Sequence, residues 1–255
     1  MLRLKFWHLI VLIILIPYVL CSMGCIWDEP KTDVVSDSHP SWDTDGDNIS
    51  NAVETNSANS YLGLNPDSAN ANPSIAHGYP WNGWIGNALN LVNQGTGYYH
   101  YNPDKSTIDT DDWGVLHLIN MIEGAGRLWY TNSYPPPRIG VGDLSKGDQY
   151  TQQFGGYFYP HSSHQNGLDV DIRYVRNDGL EIGLNLADST QLQYFDEEAT
   201  KALLMYLIAN ADIDSIFVDG VHSTLTQMGY SFIVHKSNHS DHFHVRIVDP
   251  DGTGN

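Results

Sequence analysis

Two short segments far apart in the chain alternate apolar and polar residues, and this alternation limits the fold more than any other feature. In 168–173 (LDVDIR) and 242–247 (HFHVRI), every second residue is apolar. Successive side chains of a strand point to opposite faces, so each segment predicts a half-buried strand whose apolar face packs on a core. The polar faces then carry Asp169, Asp171, Arg173, His242, His244 and Arg246. If the strands are neighbours, these side chains line one groove.

The remaining periodic segments predict a mixture of helices and strands. Residues 111–123 read as a helix capped by Asp111 or Asp112 and stopped by Gly124 and Gly126. Residues 197–210 predict a second helix capped by Asp196, and 138–141 and 215–218 predict strands. Strands and helices do not alternate regularly. The pattern therefore favours an α+β domain, an antiparallel sheet with flanking helices, over residues 78–255.

The N-terminus predicts export. Arg3 and Lys5 precede an apolar stretch at 9–20 and small residues before Cys25, which is typical of a signal peptide over 1–25. Two alternatives stay open: an uncleaved anchor over 6–27, and lipid attachment at Cys25. Residues 26–77 are rich in polar residues and predict a tether. We expect the exported domain in the periplasm or cell envelope, with membrane contact only through this N-terminus.

Charge and cysteine content exclude several classes of function. The 255 residues carry a formal net charge of -18, which repels nucleic acid. The two cysteines, Cys21 and Cys25, both lie in the signal segment, so the exported domain has neither disulfides nor thiolate metal ligands. Histidine and carboxylate must hold any transition metal.

An acidic loop at 43–54 (DTDGDNISNAVE) predicts a calcium site. Asp43, Asp45 and Asp47 stand at positions 1, 3 and 5 of a twelve-residue loop, and Glu54 stands at position 12. Ile49, at position 7, offers its backbone carbonyl. Position 6 is Asn48 where glycine is usual, and asparagine tolerates the left-handed conformation needed there. The loop also resembles the Asp-rich repeats of thrombospondin type 3 and dockerin modules. The alternative is a solvated acidic turn that caps a short helix at 50–54.

Histidines gather in two places. Five of the 12 fall in 161–171 (HSSHQNGLDVD) and 239–246 (HSDHFHVR). A lone histidine is more often structural than a ligand, but two clusters on neighbouring strands can present imidazole and carboxylate toward one point. Such a site without cysteine favours zinc, and three protein ligands leave a fourth position for water.

These clusters resemble the penicillin-insensitive murein endopeptidases, a family in the wider group of lysostaphin-type and D-alanyl-D-alanine metallopeptidases. SHQNGLDVDI and HxxHFHVR carry the resemblance, which is weaker at 138–145 and 215–225 and does not cover 1–77. It implies a zinc site and active-site histidines. The implied ligands are His164, Asp171 and His244. His242 matches the position assigned to acid–base work, His161 and His239 match two further active-site histidines, and Asp169 is expected to orient a ligand.

The resemblance implies a zinc metalloendopeptidase that hydrolyses amide bonds in peptidoglycan peptide cross-links, with peptidoglycan peptide as its partner. One alternative is a D,D-carboxypeptidase or dipeptidase of the same metal class, which would hold a free carboxylate through an arginine. The candidates for this contact are Arg138, Arg173 and Arg246. Two others are a non-catalytic zinc-bearing wall-binding protein and a calcium-stabilised surface protein.

Overall fold

The two alternating segments form neighbouring strands near the middle of the main sheet in the computed structural model. The structure describes residues 42–70, 74–101, 110–132 and 137–252. All of them belong to one compact unit, Val34–Asn255. The expected signal segment (1–25) and residues 26–41 of the expected tether lie outside the described residues.

The described part of the chain forms short strands, three α-helices and three 3₁₀ turns. The strands are β1 (Ile75–Tyr79), β2 (Asn82–Gly86), β3 (Leu89–Asn90), β4 (Gln94–Gly95), β5 (Tyr98–His100), β6 (Trp113–Gly114), β7 (Ile139–Val141), β8 (Gly147–Asp148), β9 (Gln153–Phe154), β10 (Asp169–Arg173), β11 (Ile213–Val218), β12 (Ile233–His235) and β13 (His242–Ile247). The helices are α1 (Asn51–Thr55), α2 (Leu116–Thr131) and α3 (Glu197–Asn210). The 3₁₀ turns are Ser57–Leu62, Leu192–Tyr194 and Leu225–Gln227. Among the residues described, no helix combines the length and apolarity that crossing a membrane requires.

The main sheet is mostly antiparallel, as the α+β prediction requires. Its strand order is β12-β11-β13-β10-β7-β5-β4. The β11/β12 and β5/β7 pairs are parallel, and the other pairs are antiparallel. The apolar faces of β10 and β13 are buried in the core, as the alternation predicts: Val170, Ile172, Phe243 and Val245 are each 0% exposed.

Helix α2 differs from the prediction at both ends. It begins at Leu116 rather than near Asp111, because Trp113 and Gly114 form β6 and pair with β3. Asp112 cannot cap the helix. Its buried carboxylate instead lies 3.0 Å from Nε2 of His100. The helix N-cap is Val115, and the side chain of Ser74 accepts a hydrogen bond from the first helical N–H, at Leu116.

The same helix continues through two glycines that were expected to end it. A Cβ at Gly124 would lie 2.1 Å from the side chain of Asn210, the last residue of α3. A Cβ at Gly126 would lie 2.4 Å from the backbone oxygen of Thr96. Both glycines therefore allow close packing inside the domain, and this packing outweighs their low helix propensity.

The other predicted elements agree closely with the structure. Helix α3 spans the predicted 197–210, and Asp196 caps it by accepting a hydrogen bond from the backbone N–H of Ala199 at 2.9 Å. Strand β13 spans the predicted 242–247, and β7, β10 and β11 differ from prediction by one or two residues at one end.

Residues 42–62, expected to be part of a tether, pack on the domain instead. Ile49 and Val53 are 0% exposed, and they belong to the same buried cluster as the core of the sheet. Asn59 also exchanges hydrogen bonds with the backbone of Asn90 at 2.7 and 3.2 Å. The tether prediction is corrected for residues 42–62, because apolar residues of this segment are buried in the core of the domain.

Candidate metal centre

The register between β10 and β13 brings an aspartate and a histidine to one point. The strands are antiparallel, and Asp171 stands opposite His244. Oδ1 of Asp171 lies 2.9 Å from Nδ1 of His244. Both residues are buried: Asp171 is 4% exposed and His244 is 3% exposed. Strand pairing alone therefore brings together two residues that are far apart in the sequence.

His164 reaches the same point from the loop that precedes β10. Its φ is 64°, an uncommon left-handed conformation for a residue with a side chain. Two hydrogen bonds hold it: its backbone N–H donates to Oδ2 of Asp169 at 2.8 Å, and Nδ1 lies 2.6 Å from the carbonyl oxygen of Leu144. The opposite ring nitrogen, Nε2, therefore faces Asp171 and His244.

The three potential ligand atoms form a compact triangle. Nε2 of His164 lies 3.1 Å from Nδ1 of His244 and 3.3 Å from Oδ1 of Asp171. Donor atoms bound tetrahedrally to zinc lie about 3.3–3.5 Å apart, as its bond lengths require. Two imidazoles and one carboxylate also suit zinc chemically. These three residues, hereafter the His/Asp centre, therefore fit a small transition-metal ion.

His161 is a fourth candidate ligand beside the centre. Its ring lies with His164 and Asp171 in a group whose ligand atoms are all within 4.8 Å of one another. However, His161 Nδ1 is 3.7 Å from Asp171 Oδ2, a longer separation than that of His244. Its Nε2 lies 2.7 Å from Oδ2 of Asp143, so the ring is held toward a second carboxylate. The geometry favours His244 as the third ligand.

Asp169 lies behind the centre and contacts two of its members. It is completely buried, and its Oδ1 lies 3.1 Å from Nε2 of His244 and 2.6 Å from Nε of Arg246. Burial acts to raise the pKa of Asp169, but the positive charges of His244, His164 and Arg246 hold that pKa below its usual value. The resulting carboxylate contacts the ring of His244 and the backbone of His164, which is where a residue that orients a ligand would lie.

Burial and charge also act on His244. Burial lowers its pKa, but the carboxylates of Asp169 and Asp171 outweigh burial and raise the pKa to about 9. A histidine binds a metal ion only through an unprotonated nitrogen, so a metal ion and a proton would compete for Nδ1 of His244.

His242 and His239 lie on the open side of the centre. Nε2 of His242 is 3.7 Å from Oδ2 of Asp171, and its Nδ1 lies 2.8 Å from Oδ1 of Asp241. Burial alone would lower the pKa of His242, but Asp241 and Asp171 raise it. The ring of His239 lies 5.0 Å from that of His242 and 6.1 Å from that of His244, centroid to centroid. The structure therefore brings together all seven histidine and aspartate positions named for this site from the sequence.

Two carboxylates of the site were not anticipated from the sequence. Asp143 follows β7, which pairs with β10, and it orients His161. Asp241 orients His242, and this hydrogen bond is the main reason that the pKa of Asp241 is lowered. Asp241 lies inside the histidine cluster HSDH, and Asp143 ends the segment RIGVGD. The available signal was the place of Asp241 inside a cluster and of Asp143 in the segment 138–145, where the family resemblance is weaker.

Three of the predicted calcium ligands form a second cluster, far from the His/Asp centre in the sequence. Ligand atoms of Asp43, Asp45 and Asp47 are all within 4.8 Å of one another. Asn48 has φ of 69°, the left-handed conformation predicted for it.

A mostly antiparallel sheet and the loop before β10 together present two histidines and an aspartate at one point. With the further histidines beside them, they define a candidate metal-dependent hydrolase. The profile of the penicillin-insensitive murein endopeptidase family matches residues 76–255, and the chain belongs to this family. It is therefore a metallopeptidase family member that hydrolyses peptidoglycan, and this membership indicates action at the cell envelope. No curated protein matches the chain.

Proposed function

We propose that the protein is a zinc endopeptidase that cleaves amide bonds in the peptide cross-links of peptidoglycan. The observation that carries this proposal is the triangle formed by His164 Nε2, Asp171 Oδ1 and His244 Nδ1, with sides of 2.9, 3.1 and 3.3 Å. Family membership supplies the substrate class. The absence of cysteine after residue 25 leaves histidine and carboxylate as the natural ligands.

The three residues of the His/Asp centre would hold the ion, and their surroundings would orient them. When bound, zinc would supply Lewis-acid chemistry, polarising a carbonyl and making a water molecule more acidic. Asp169 fixes the ring of His244, and the carbonyl of Leu144 fixes that of His164. Such outer contacts keep ligand nitrogens aimed at one point.

His242 is the best-placed group for proton transfer. Its ring lies beside Asp171 on the same face of β13 as His244, and it is itself oriented by Asp241. A histidine held in this way could take a proton from the attacking water and pass it to the leaving amine.

His161 lies beside Asp171 and His164, and His239 lies beside His242 and His244. Asp143 holds His161, and the carbonyl of Ser237 lies 2.9 Å from Nδ1 of His239. Burial is the main cause of a lowered pKa at His239, which favours its neutral form. Both rings are positioned to orient the substrate or to stabilise negative charge that develops on the carbonyl oxygen.

One observation favours a second candidate, removal of a C-terminal residue by a D,D-carboxypeptidase. That reaction requires a cation for the free carboxylate of the substrate. Arg138 is hydrogen bonded to both oxygens of Glu181, and Arg246 is bonded to Asp169, so each already has a carboxylate. Arg173 stands opposite His242 in the strand register, and its guanidinium lies 3.9 Å from the ring centroid of Tyr101. Of the three candidates, Arg173 is the one that could bind a carboxylate of the substrate.

The two activities can be separated by their products. Zinc-loaded protein is incubated with purified cross-linked peptidoglycan and, separately, with linear pentapeptide, and the products are identified by mass spectrometry. An endopeptidase converts cross-linked dimers to monomers and leaves the linear peptide intact. Release of a single terminal residue from the linear peptide, abolished by Arg173→Gln but not by Arg138→Gln, would instead establish the carboxypeptidase. No product from either substrate would contradict both.

A further inference from the structure

The acidic loop (43–54) is not part of the His/Asp centre and needs its own explanation. We propose that this loop binds one calcium ion and that the ion fastens the N-terminal segment to helix α2 of the peptidase domain. Its ligands would be the carboxylates of Asp43, Asp45, Asp47 and Glu54 and the backbone carbonyl of Ile49. The proposal is independent of the activity of the His/Asp centre.

The backbone of the loop is wound tightly around Asp43. Its Oδ1 accepts a hydrogen bond from the N–H of Gly46 at 2.7 Å, and its Oδ2 accepts one from the N–H of Asn48 at 2.8 Å. Gly46 and Asn48 both have positive φ, 77° and 69°. This winding brings Asp45 and Asp47 to within 4.8 Å of Asp43, measured between ligand atoms.

Glu54 provides the independent indication of a ligand. The residue is 5% exposed, and its Oε1 accepts a hydrogen bond from the side chain of Asn70 at 3.0 Å. Its Oε2 is buried and has no hydrogen-bond partner among the residues that the structure describes. Burying a carboxylate oxygen without a partner is costly, so native proteins pair such atoms or use them to coordinate metals.

Glu54 lies near enough to the three aspartates for their charges to act on it. Asn70 joins them, because its backbone N–H donates to Oδ2 of Asp47 at 2.5 Å while its side chain donates to Glu54. Burial raises the pKa of Glu54 to about 7, and the charges of Asp45, Asp47 and Asp43 add to that rise. Four carboxylates that repel one another are the electrostatic environment that a divalent cation stabilises.

The donor set selects calcium among the common cations. All the proposed ligand atoms of the loop are oxygens, whereas two of the three potential ligand atoms of the His/Asp centre are histidine nitrogens. Calcium accepts six to eight oxygens in flexible geometry, and bidentate binding by Glu54 with a backbone carbonyl suits it. Magnesium demands near-ideal octahedral geometry at shorter distances.

The loop is attached to α2 by both polar and apolar contacts. The side chain of Asn120 donates to the backbone carbonyl of Asn48 at 3.0 Å, and the hydroxyl of Ser50 donates to Oε1 of Glu123 at 3.1 Å. Ile49 and Val53 of the same segment are buried in the core. An ion that holds the loop closed therefore also stabilises its packing on α2, and calcium should stabilise the peptidase domain.

The test compares calcium binding by the zinc-loaded full chain and two variants in calcium-depleted buffer. Glu54→Gln removes the negative charge and the bidentate binding of one proposed ligand, and Asp67→Asn removes an exposed carboxylate nearby in the sequence. Isothermal titration with Ca²⁺ should give one site per chain for the wild type and Asp67→Asn, and at least tenfold weaker binding for Glu54→Gln. At a calcium concentration one hundred times Kd, the unfolding temperature of the wild type should rise by roughly 5–10 °C.

The order of thermal stability of the wild type and Glu54→Gln should reverse when calcium is removed, and this gives a second check. Glu54→Gln removes mutual repulsion, so in calcium-depleted buffer it should unfold at a temperature equal to or above that of the wild type. With calcium, the wild type should be the more stable protein. Absence of binding heat and of any thermal shift in the wild type, or equal calcium affinity in Glu54→Gln, would overturn the proposal.

Discussion

The His/Asp centre and the acidic loop both gather carboxylates at one point, but they surround them differently. At the centre, Asp169 lies against His244 and Arg246, and Asp171 lies against His164 and His244. Both carboxylates there therefore lie against histidine or arginine side chains. In the acidic loop the carboxylates face one another, and Oε2 of Glu54 is unpartnered among the described residues.

If both proposals hold, this difference separates a site for chemistry from a site for stability. The centre is assembled by the register of β10 and β13 and oriented by buried contacts, which is how reactive groups are held in precise positions. The loop is a local winding whose repulsion a cation would neutralise. We therefore expect changes at the centre to abolish activity and changes at the loop to alter stability.

The largest effect should come from removing a ligand. His244→Ala should reduce bound zinc from about one equivalent to near zero and bring hydrolysis of peptidoglycan below detection, because two ligands hold zinc too weakly. Metal analysis and release of soluble peptides measure the two effects. His117→Ala, which alters an exposed histidine on α2, serves as the control and should retain both zinc and activity. Full zinc occupancy in His244→Ala would show that the ligand assignment is wrong.

A smaller effect is expected for the group assigned to proton transfer. His242→Ala should keep its zinc and lose ~10²–10⁴-fold in kcat/KM, the usual contribution of a general acid–base group. Asp241→Asn should lose less, because it only weakens the orientation of His242. Steady-state kinetics on cross-linked peptide, with zinc measured in the same samples, distinguishes chemistry from metal loss. Near wild-type turnover in zinc-loaded His242→Ala would remove this residue from the mechanism.

The outer contact of the centre should have a moderate effect on metal binding. Asp169→Asn keeps the shape of the side chain but removes the charge that faces His244 and Arg246. Zinc affinity should fall by about 10–100-fold, as is typical for such partners of a ligand. Competition with a zinc chelator of known affinity measures the change. Asp178→Asn, which weakens the ion pair of Arg176 outside the centre, is the matched control. Equal zinc affinities for the two variants would mean that Asp169 does not tune the ligand.

The sequence predicted the faces of β10 and β13 because a period of two is visible in six residues. It did not predict the register, which depends on packing along both strands, yet the register decides that Asp171 faces His244. His164 lies in a loop with positive φ, and its place was implied only by family resemblance. Asp143 was missed because it lies 18 positions before His161 in the sequence, and only the fold brings the two side chains together.

For the acidic loop, the site residues could be predicted from the sequence, but the packing of the loop on the domain could not. Its candidate ligands were predicted from spacing alone, since all of them lie within twelve residues. Its packing on α2 could not be read in the same way, because Ile49 and Val53 are two apolar residues in a polar segment. The start of α2 was also mispredicted, since Asp112 resembles a helix cap but is buried against His100.

The smallest effect on the reaction should come from the apolar contact between the loop segment and the domain, and it tests whether the segment is part of the folded unit. Val53→Ala removes two methyl groups from a completely buried side chain, so the free energy of unfolding should fall by about 1–3 kcal/mol. Well below the unfolding temperature, kcat/KM should stay unchanged, because the segment packs on α2 while the ligands lie on and before β10 and on β13. Val221→Ala, at a residue 70% exposed, should change neither quantity. Denaturant unfolding and kinetics on the same zinc-loaded samples provide both measurements. If Val53→Ala were as stable as the wild type, the segment would behave as the tether that its composition predicts. If it instead lost activity in proportion to stability, the two regions would be coupled through α2, and their separation into chemistry and stability would fail.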